Sequence, residues 1–218
     1  MHNLFRLDNP LIQLLFRLGD LIIANLLFLV CSVPIVTLGA SAAALCKVTQ
    51  DLIMDQESGI IKTFFRAFRD NFKQATIAWL VILLVLAGVA ADLLLISAYF
   101  TGGLATLLRG LILVLAVIVL SVACYLFPLM VRYSNTLREH IKNAMILAVV
   151  KLLRTVALLF ITTFPFWIAY FSMIIFVNTL TFWLILGFAL ASFLCSSLLV
   201  PVFKELEKNS GTDVKILK

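Results

Sequence analysis

The sequence predicts an all-α fold, a polytopic membrane bundle, and three observations carry that prediction. Hydrophobic residues make up 63% of the 218 and charged residues only 13%, whereas soluble domains run at about 45–50% apolar and about 25% charged. Several apolar runs reach the roughly 20 residues that a helix needs to cross the hydrocarbon core, and mean hydropathy is +1.14. The Lys and Arg residues cluster between those runs, as they do in loops on the cytoplasmic side of a membrane. A soluble helical core would require a polar face on each helix, and most of these runs have none. Membrane topology thus accounts for the formal net charge of +6, with no nucleic-acid partner.

Taken in order, Asp8 and Asn9 before Pro10 form a helix-start signal with proline at the first helical position. Leu11, Leu14, Leu15 and Leu18 follow at helical spacing, while Gln13, Arg17 and Asp20 fall on another side. Arg17 and Asp20 are within pairing reach at i,i+3. Residues 21–48 are apolar up to Pro34 and restart at Leu38 with Gly39 and a run of alanines. This stretch reads either as one kinked crossing, giving five membrane helices, or as a hairpin folded at residues 32–37, giving six. Pro34, Thr37 and Gly39 mark that turn. The hairpin is preferred, because the basic loops and tail put the C-terminus in the cytoplasm, and a single crossing would leave Arg6 and Arg17 outside. A cleaved secretory leader is disfavoured. Its basic region would contain Asp8 and Asp20, and cleavage near Ala40, Ser41 and Ala42 would strand Lys47, Lys62, Arg66, Arg69 and Lys73 outside the cell.

The first basic loop, residues 47–74, ends in an amphipathic pattern. Lys62, Arg66, Arg69 and Lys73 share one helical stripe, and Phe64, Phe65, Phe68 and Phe72 share the adjacent one. The pattern predicts a short interfacial helix whose rings enter the acyl boundary while its cations meet anionic lipid on the cytoplasmic side. Packing of the same Phe residues on neighbouring helices is the compatible alternative. Residues 75–100 then cross outward, with Trp79 and Tyr99 as interfacial aromatics, and 101–103 form an outer turn. Residues 104–130 return, with Pro128 near their end. Arg132, Arg138, Lys142, Lys151 and Arg154 mark a second inner loop. Residues 155–177 cross again with Pro165 inside, 178–181 form an uncharged outer turn, and 182–203 return with Pro201 near their end.

An internal repeat organises these parts. Residues 68–75 align without gaps to 137–144, both reading apolar-Arg-acid-x-apolar-Lys-amide-Ala. Each is followed by a pair of crossings. The predicted organisation is a single membrane domain, 1–203, made of a hairpin at 10–54, one repeat at 62–131 and a second at 132–203, with a short cytoplasmic tail at 204–218. Because a hairpin returns to its own side, the repeats are parallel, unlike the inverted repeats of many transporters.

Ionisable residues inside a bilayer are functional candidates by default, and few exist here. Asp92 and Arg109 lie about 13 Å and about 9 Å along their helices from the turn at 101–103, at 1.5 Å per residue. They are expected to form an ion pair near the outer interface. Asn25, Ser121, Thr162, Thr163, Asn178, Ser196 and Ser197 suit hydrogen bonds between helices. The four cysteines are dispersed, no C-x-x-C spacing exists, and the only histidines are His2 and His140. No metal site and no cofactor is therefore expected. Phosphate-loop, zinc-protease and nucleophile-elbow motifs are absent, so no enzymatic activity is expected either.

Four stretches in order are similar to one family: L-F-R-L-D-N-P-L from Leu4, S-V-P-I-V-T-L-G-A-S-A-A-A-L from Ser32, F-F-R-A-F-R-D-N-F-K-Q-A-T-I from Phe64 and Y-S-N-T-L-R-E-H-I-K-N-A from Tyr133. They resemble the YesL-like family of bacterial integral membrane proteins of unknown function, over nearly the whole chain. Members are commonly encoded beside carbohydrate-uptake transporters and polysaccharide-degrading enzymes in Gram-positive bacteria. The resemblance implies a non-enzymatic accessory or regulatory role linked to carbohydrate uptake, with a carbohydrate ABC transporter or another membrane protein as partner. It supplies no catalytic or binding residues. The alternative is a small transporter or permease subunit with its site between the two repeats. The expected location is the cytoplasmic membrane, with both termini cytoplasmic.

Overall fold

The computed structural model describes residues 10–56 and 59–210; Arg6, Asp8, Asn9, Lys215 and Lys218 lie outside them. Among the described residues every regular element is helical: α1 (Pro10–Ser32), α2 (Leu38–Ile53), α3 (Ile60–Tyr99), α4 (Gly102–Met130), α5 (Leu137–Val150), α6 (Leu152–Phe171), α7 (Met173–Phe182) and α8 (Phe188–Ser210). A 3₁₀ turn at Ile35–Thr37 precedes α2, and a π-helical segment at Trp183–Gly187 joins α7 to α8. Five stretches are long and apolar enough to cross a membrane: Leu15–Ser32, α3, α4, α6 and the continuous run Met173–Lys208. The protein is an all-helical membrane protein. At 16 residues, α2 measures about 24 Å and is not among them.

Pro34 ends the first helix, because it has no N–H to donate and disfavours helical backbone at Val33. The Thr37 hydroxyl donates to the carbonyls of Cys31 (2.6 Å) and Pro34 (2.8 Å), satisfying groups that the helix end leaves open. At the other end of the two helices Arg17 pairs with Asp55. Asp55 has φ 51°, in the left-handed region that Asp tolerates better than most residues. A turn at one end and an ion pair at the other make α1 and α2 antiparallel neighbours. The expected Arg17–Asp20 pair is therefore replaced by a longer-range one.

The predicted short interfacial helix is not a separate element. Its residues continue without a break into the crossing, giving one helix of 40 residues, about 60 Å long. No residue around Gln74 and Ala75 interrupts helical backbone. Phe64 is fully buried in a cluster with Leu21, Ala24, Leu45 and Val48, and Phe68 packs partly buried against it. Phe65 and Phe72 stay exposed beside the exposed Lys62, Arg66, Arg69 and Lys73. The rings thus divide between the packing and the surface alternatives.

The second pair of arms also differs from expectation. The outward helix ends at Phe171, the turn falls at Ser172, and residues 178–181 lie inside α7. Ser172 caps α7 by accepting the Ile175 N–H (3.3 Å), a role that suits serine. Pro128, Pro165 and Pro201 all lie within helices; the breaks fall instead at Lys151 and Ser172. The two matching stretches of the repeat meet different surroundings. The first lies in unbroken α3, whereas the second opens α5, which stops before α6 at Lys151.

Burial divides the molecule into a base and two arms. In α2 ten residues, from Gly39 to Asp51, are buried. Around it pack α1, the first half of α3, the end of α4 and α8, and α5 packs in turn on α4. Beyond Leu80 only Ile82, Val89 and Ile96 of α3 are buried, and before Ser121 only Ala105 of α4, so these halves form an arm that touches little but itself. In α6 only Thr155 and Leu158 are buried, and α6 with α7 forms the second arm. Every described Lys and Arg except Arg109 lies in the base or at its junction with the second arm.

Two contacts hold the base. A Cβ on Gly39 would collide with the Ala75 carbonyl oxygen and with Trp79 Cβ, so α2 and α3 meet backbone to backbone. Asn25, fully buried on α1, donates to the carbonyls of Trp183 (3.2 Å) and Leu184 (2.7 Å) and accepts the Ala189 N–H (2.9 Å). A π segment displaces backbone groups from their usual helical partners, and one amide side chain engages three of them. Replacing Asn25 with Leu is expected to cost roughly 2–4 kcal/mol, since those three buried groups lose their partners. Gly39→Val should cost about 1–3 kcal/mol through overpacking. Denaturant or thermal unfolding of the detergent-solubilised protein measures both.

Candidate functional site

Two cavities among the described residues differ sharply in their chemistry. The first is a polar space of about 440 Å³ at the charged end of the base, between α3, the connection at 131–136 and α5. Asp70, Asn71 and Gln74 line it from α3, Arg132 and Tyr133 from the connection, and His140 from α5. Helical spacing puts the three α3 residues on one side, away from the cation stripe. Gln74 donates to the Asn135 carbonyl (3.3 Å), which holds the connection against α3. Thr136 and Glu139 form a capping box that starts α5 and sets the position of His140.

His140 is buried, and its Nδ1 is enclosed without a hydrogen-bond partner. Burial pushes the imidazole below its ordinary pKa of 6.5, opposed by the Glu139 carboxylate and the Asn135 carbonyl. Beside it, Arg132 makes a two-pronged bond to Glu207 of α8 (2.7 and 3.1 Å), and the Tyr133 hydroxyl donates to the same carboxylate (3.0 Å). The Arg132 guanidinium also stands 5.5 Å from the centre of the Phe203 ring. The Glu207 bond raises the pKa of Arg132, whereas burial first and Glu207 second push Tyr133 up to about 12. Arg132 thus acts as a clamp between the connection and the last helix.

The second cavity, about 530 Å³, lies where the arm of α6 and α7 leaves the base. Phe28, Phe127, Phe166 and Trp183 line it together with Cys46 and Cys124. Its few hydroxyls are already engaged: Thr162 donates to the Leu158 carbonyl (2.8 Å), and Ser192 bonds Thr49 (3.1 Å). The site is apolar.

The residues singled out in the sequence are scattered over these features. Asp92 is exposed on the first arm and Arg109 half-buried with its Nε enclosed and without a partner; no ion pair joins them. Similar distance from a turn gives similar height along two helices but says nothing of the azimuth at which each side chain leaves. Neither residue lines either of these two cavities. Thr162 lines the apolar one, and Asn25 serves the π segment. Asp70, Asn71, Gln74, His140 and Glu207 were not anticipated as a group. A signal for them existed in the repeat, whose offset of 69 pairs Asn71 with His140, and both line the polar cavity. Pro34, Thr37 and Gly39 sit at the break between α1 and α2, Gly39 in the contact with α3.

Residues 21–93 match a family described as a protein of unknown function, DUF624. That stretch takes in the second half of α1, all of α2 and α3 as far as Leu93, so it covers part of the base and the rise of the first arm. No curated protein and no solved structure matches the chain, and no named relative carries the YesL-like name.

The buried histidine gives the polar cavity a pH dependence. Folding lowers the His140 pKa below the ordinary 6.5, so on acidification the unfolded chain takes up its proton first. The contribution to stability present above that pH is lost as pH falls through the folded-state value. Between pH 7.5 and pH 5 the native protein should lose more thermal stability than His140→Gln, as followed by melting in detergent.

Proposed function

We propose that this is a multi-pass protein of the cytoplasmic membrane, with its charged base inward and both termini cytoplasmic. Its six membrane helices are arranged as three hairpins. It acts without catalysis as an accessory or regulatory component linked to carbohydrate uptake, through contacts with anionic lipid and with a membrane partner such as a carbohydrate ABC transporter. The link to carbohydrate is supported by the family resemblance. The inward base is supported by the concentration of Lys and Arg there.

One observation carries the accessory reading: the space among the membrane helices is apolar, and the polar groups beside it are engaged by their own chain. A hydrophilic solute has no polar route through such an interior. The rival, a small permease with its site between the repeats, draws support from the polar cavity between α3 and α5, which the two matching stretches both line.

Purification from the native membrane should enrich subunits of a sugar transporter with the tagged protein. The protein alone in vesicles should leave labelled sugar flux at the level of empty vesicles. Flux above that level without any enriched transporter subunit would overturn the accessory reading in favour of the permease.

A further inference from the structure

The polar cavity of about 440 Å³ between α3, the connection and α5 has the size of a small-molecule site, about 300–1,000 Å³. On its α3 side Asp70 and Gln74 stand one helical turn apart with Asn71 between them. Asn71 donates to the Ala67 carbonyl (3.0 Å) and Gln74 to the Asn135 carbonyl (3.3 Å), so each amide is held through its N–H group. Their side-chain oxygens accept nothing from the described residues. Asp70 is exposed and joins no ion pair among those residues, which leaves its carboxylate oxygens open. The α3 side therefore offers acceptors.

The connection offers donors. Among the described residues the N–H groups of Ser134 and Asn135 and the Ser134 hydroxyl have no hydrogen-bond partner. Buried His140 completes the lining with its Nδ1 unpartnered, and an enclosed polar atom without a partner calls for one that the chain itself does not supply. Charge then selects the ligand. Arg132 lines the space, yet its Nε and Nη2 are taken by Glu207 and its Nη1 by the Met54 sulfur. An anion would find no free cation in the lining and would meet Asp70. A cation would find Asp70 flanked in sequence by Arg69 and near Lys73. An uncharged molecule meets neither repulsion, and a hydroxyl both donates and accepts at one atom, matching acceptors on α3 and donors on the connection.

We infer that this cavity binds a small, uncharged, hydroxyl-rich molecule of the sugar or polyol class. Asp70, Asn71 and Gln74 accept from its hydroxyls, and the connection at Ser134 and Asn135 donates to them. Arg132 and Tyr133 line the same space while they hold Glu207, so the ligand sits against the tie between the connection and α8. The inference deepens the regulatory reading given above and rests on it for one point, that the cavity is filled from the cytoplasm.

Thermal melting of the whole protein, purified in a detergent without a sugar headgroup, tests it. Glucose, maltose and sorbitol are added singly at millimolar concentration, beside inorganic phosphate and putrescine as an anion and a cation. At least one of the three uncharged compounds should raise the melting temperature by several degrees and to a plateau, as a ligand of the native state does. Phosphate and putrescine should not. Asp70→Asn, at an exposed position where folding is not at stake, and Asn71→Leu should each weaken that binding about tenfold. No saturable shift with any of the three overturns the inference, and so does a shift that both substitutions leave intact. A shift with phosphate or putrescine alone overturns the ligand class. Because the solubilised protein is open on all sides, binding is read whichever way the base faces. A C-terminal reporter found outside the cell, or sugar flux in vesicles, would overturn the reading above and leave the site standing.

Discussion

The molecule depends on the contact between the backbones of α2 and α3 at Gly39. Lipid tails are as apolar as leucine, so helices in a membrane gain little from hiding apolar surface from one another. Close approach must supply the attraction. Gly39 with Ala40, Ala43 and Ala44 gives α2 a thin profile, and Ala75 and Ala78 do the same for α3. Dispersion contacts and the Trp79 bond to Ile35 then add along the interface. With α2 fixed, α1, α4 and α8 each find a place around it.

The polar groups of the base serve that arrangement more than they offer themselves to ligands. Gln50 donates to the Pro128 carbonyl (3.1 Å), a group near the end of α4 whose helical acceptor role has lapsed. Thr49 joins Ser192 and Ser196 at 3.1 and 2.9 Å, binding α2 to α8. Arg132 and Glu207 tie the connection after α4 to the end of α8. The exception is the cavity of Asp70, Asn71 and His140, where polar atoms gather without all being consumed. The apolar cavity among the helices and the polar cavity at the charged end of the base thus differ in chemistry.

Composition and charge placement made the class legible, and Pro34 with the small residues after it made the first break legible. Both rest on chemistry that acts locally: hydropathy, a missing N–H, a left-out Cβ. What escaped depends on partners far away in the chain. The aromatic stripe of Phe64 and Phe68 suited a lipid surface equally well until α1 and α2 took up part of it. The turn at Ser172 was missed because Asn178 and the threonines beside it resemble turn residues, although inside a helix Thr179 can return its hydroxyl to the Ile175 carbonyl (3.0 Å). The polar cavity joins residues near position 70 to residues near position 140, a meeting that no single window of sequence contains.

The π segment has a consequence for the far end of its helix. It carries one more residue in its turn than an α-helix would, so everything after it is rotated by about a quarter-turn or slightly more relative to an uninterrupted helix. Twenty residues past Gly187, about 30 Å along the axis, Glu207 meets Arg132, and Glu205 meets Lys151 at 3.0 Å. Those meetings are a matter of phase. Asn25 therefore works like the pin of a vernier: by holding the offset at Trp183 and Leu184, it sets which carboxylates the last helix turns toward the basic connections at the opposite end.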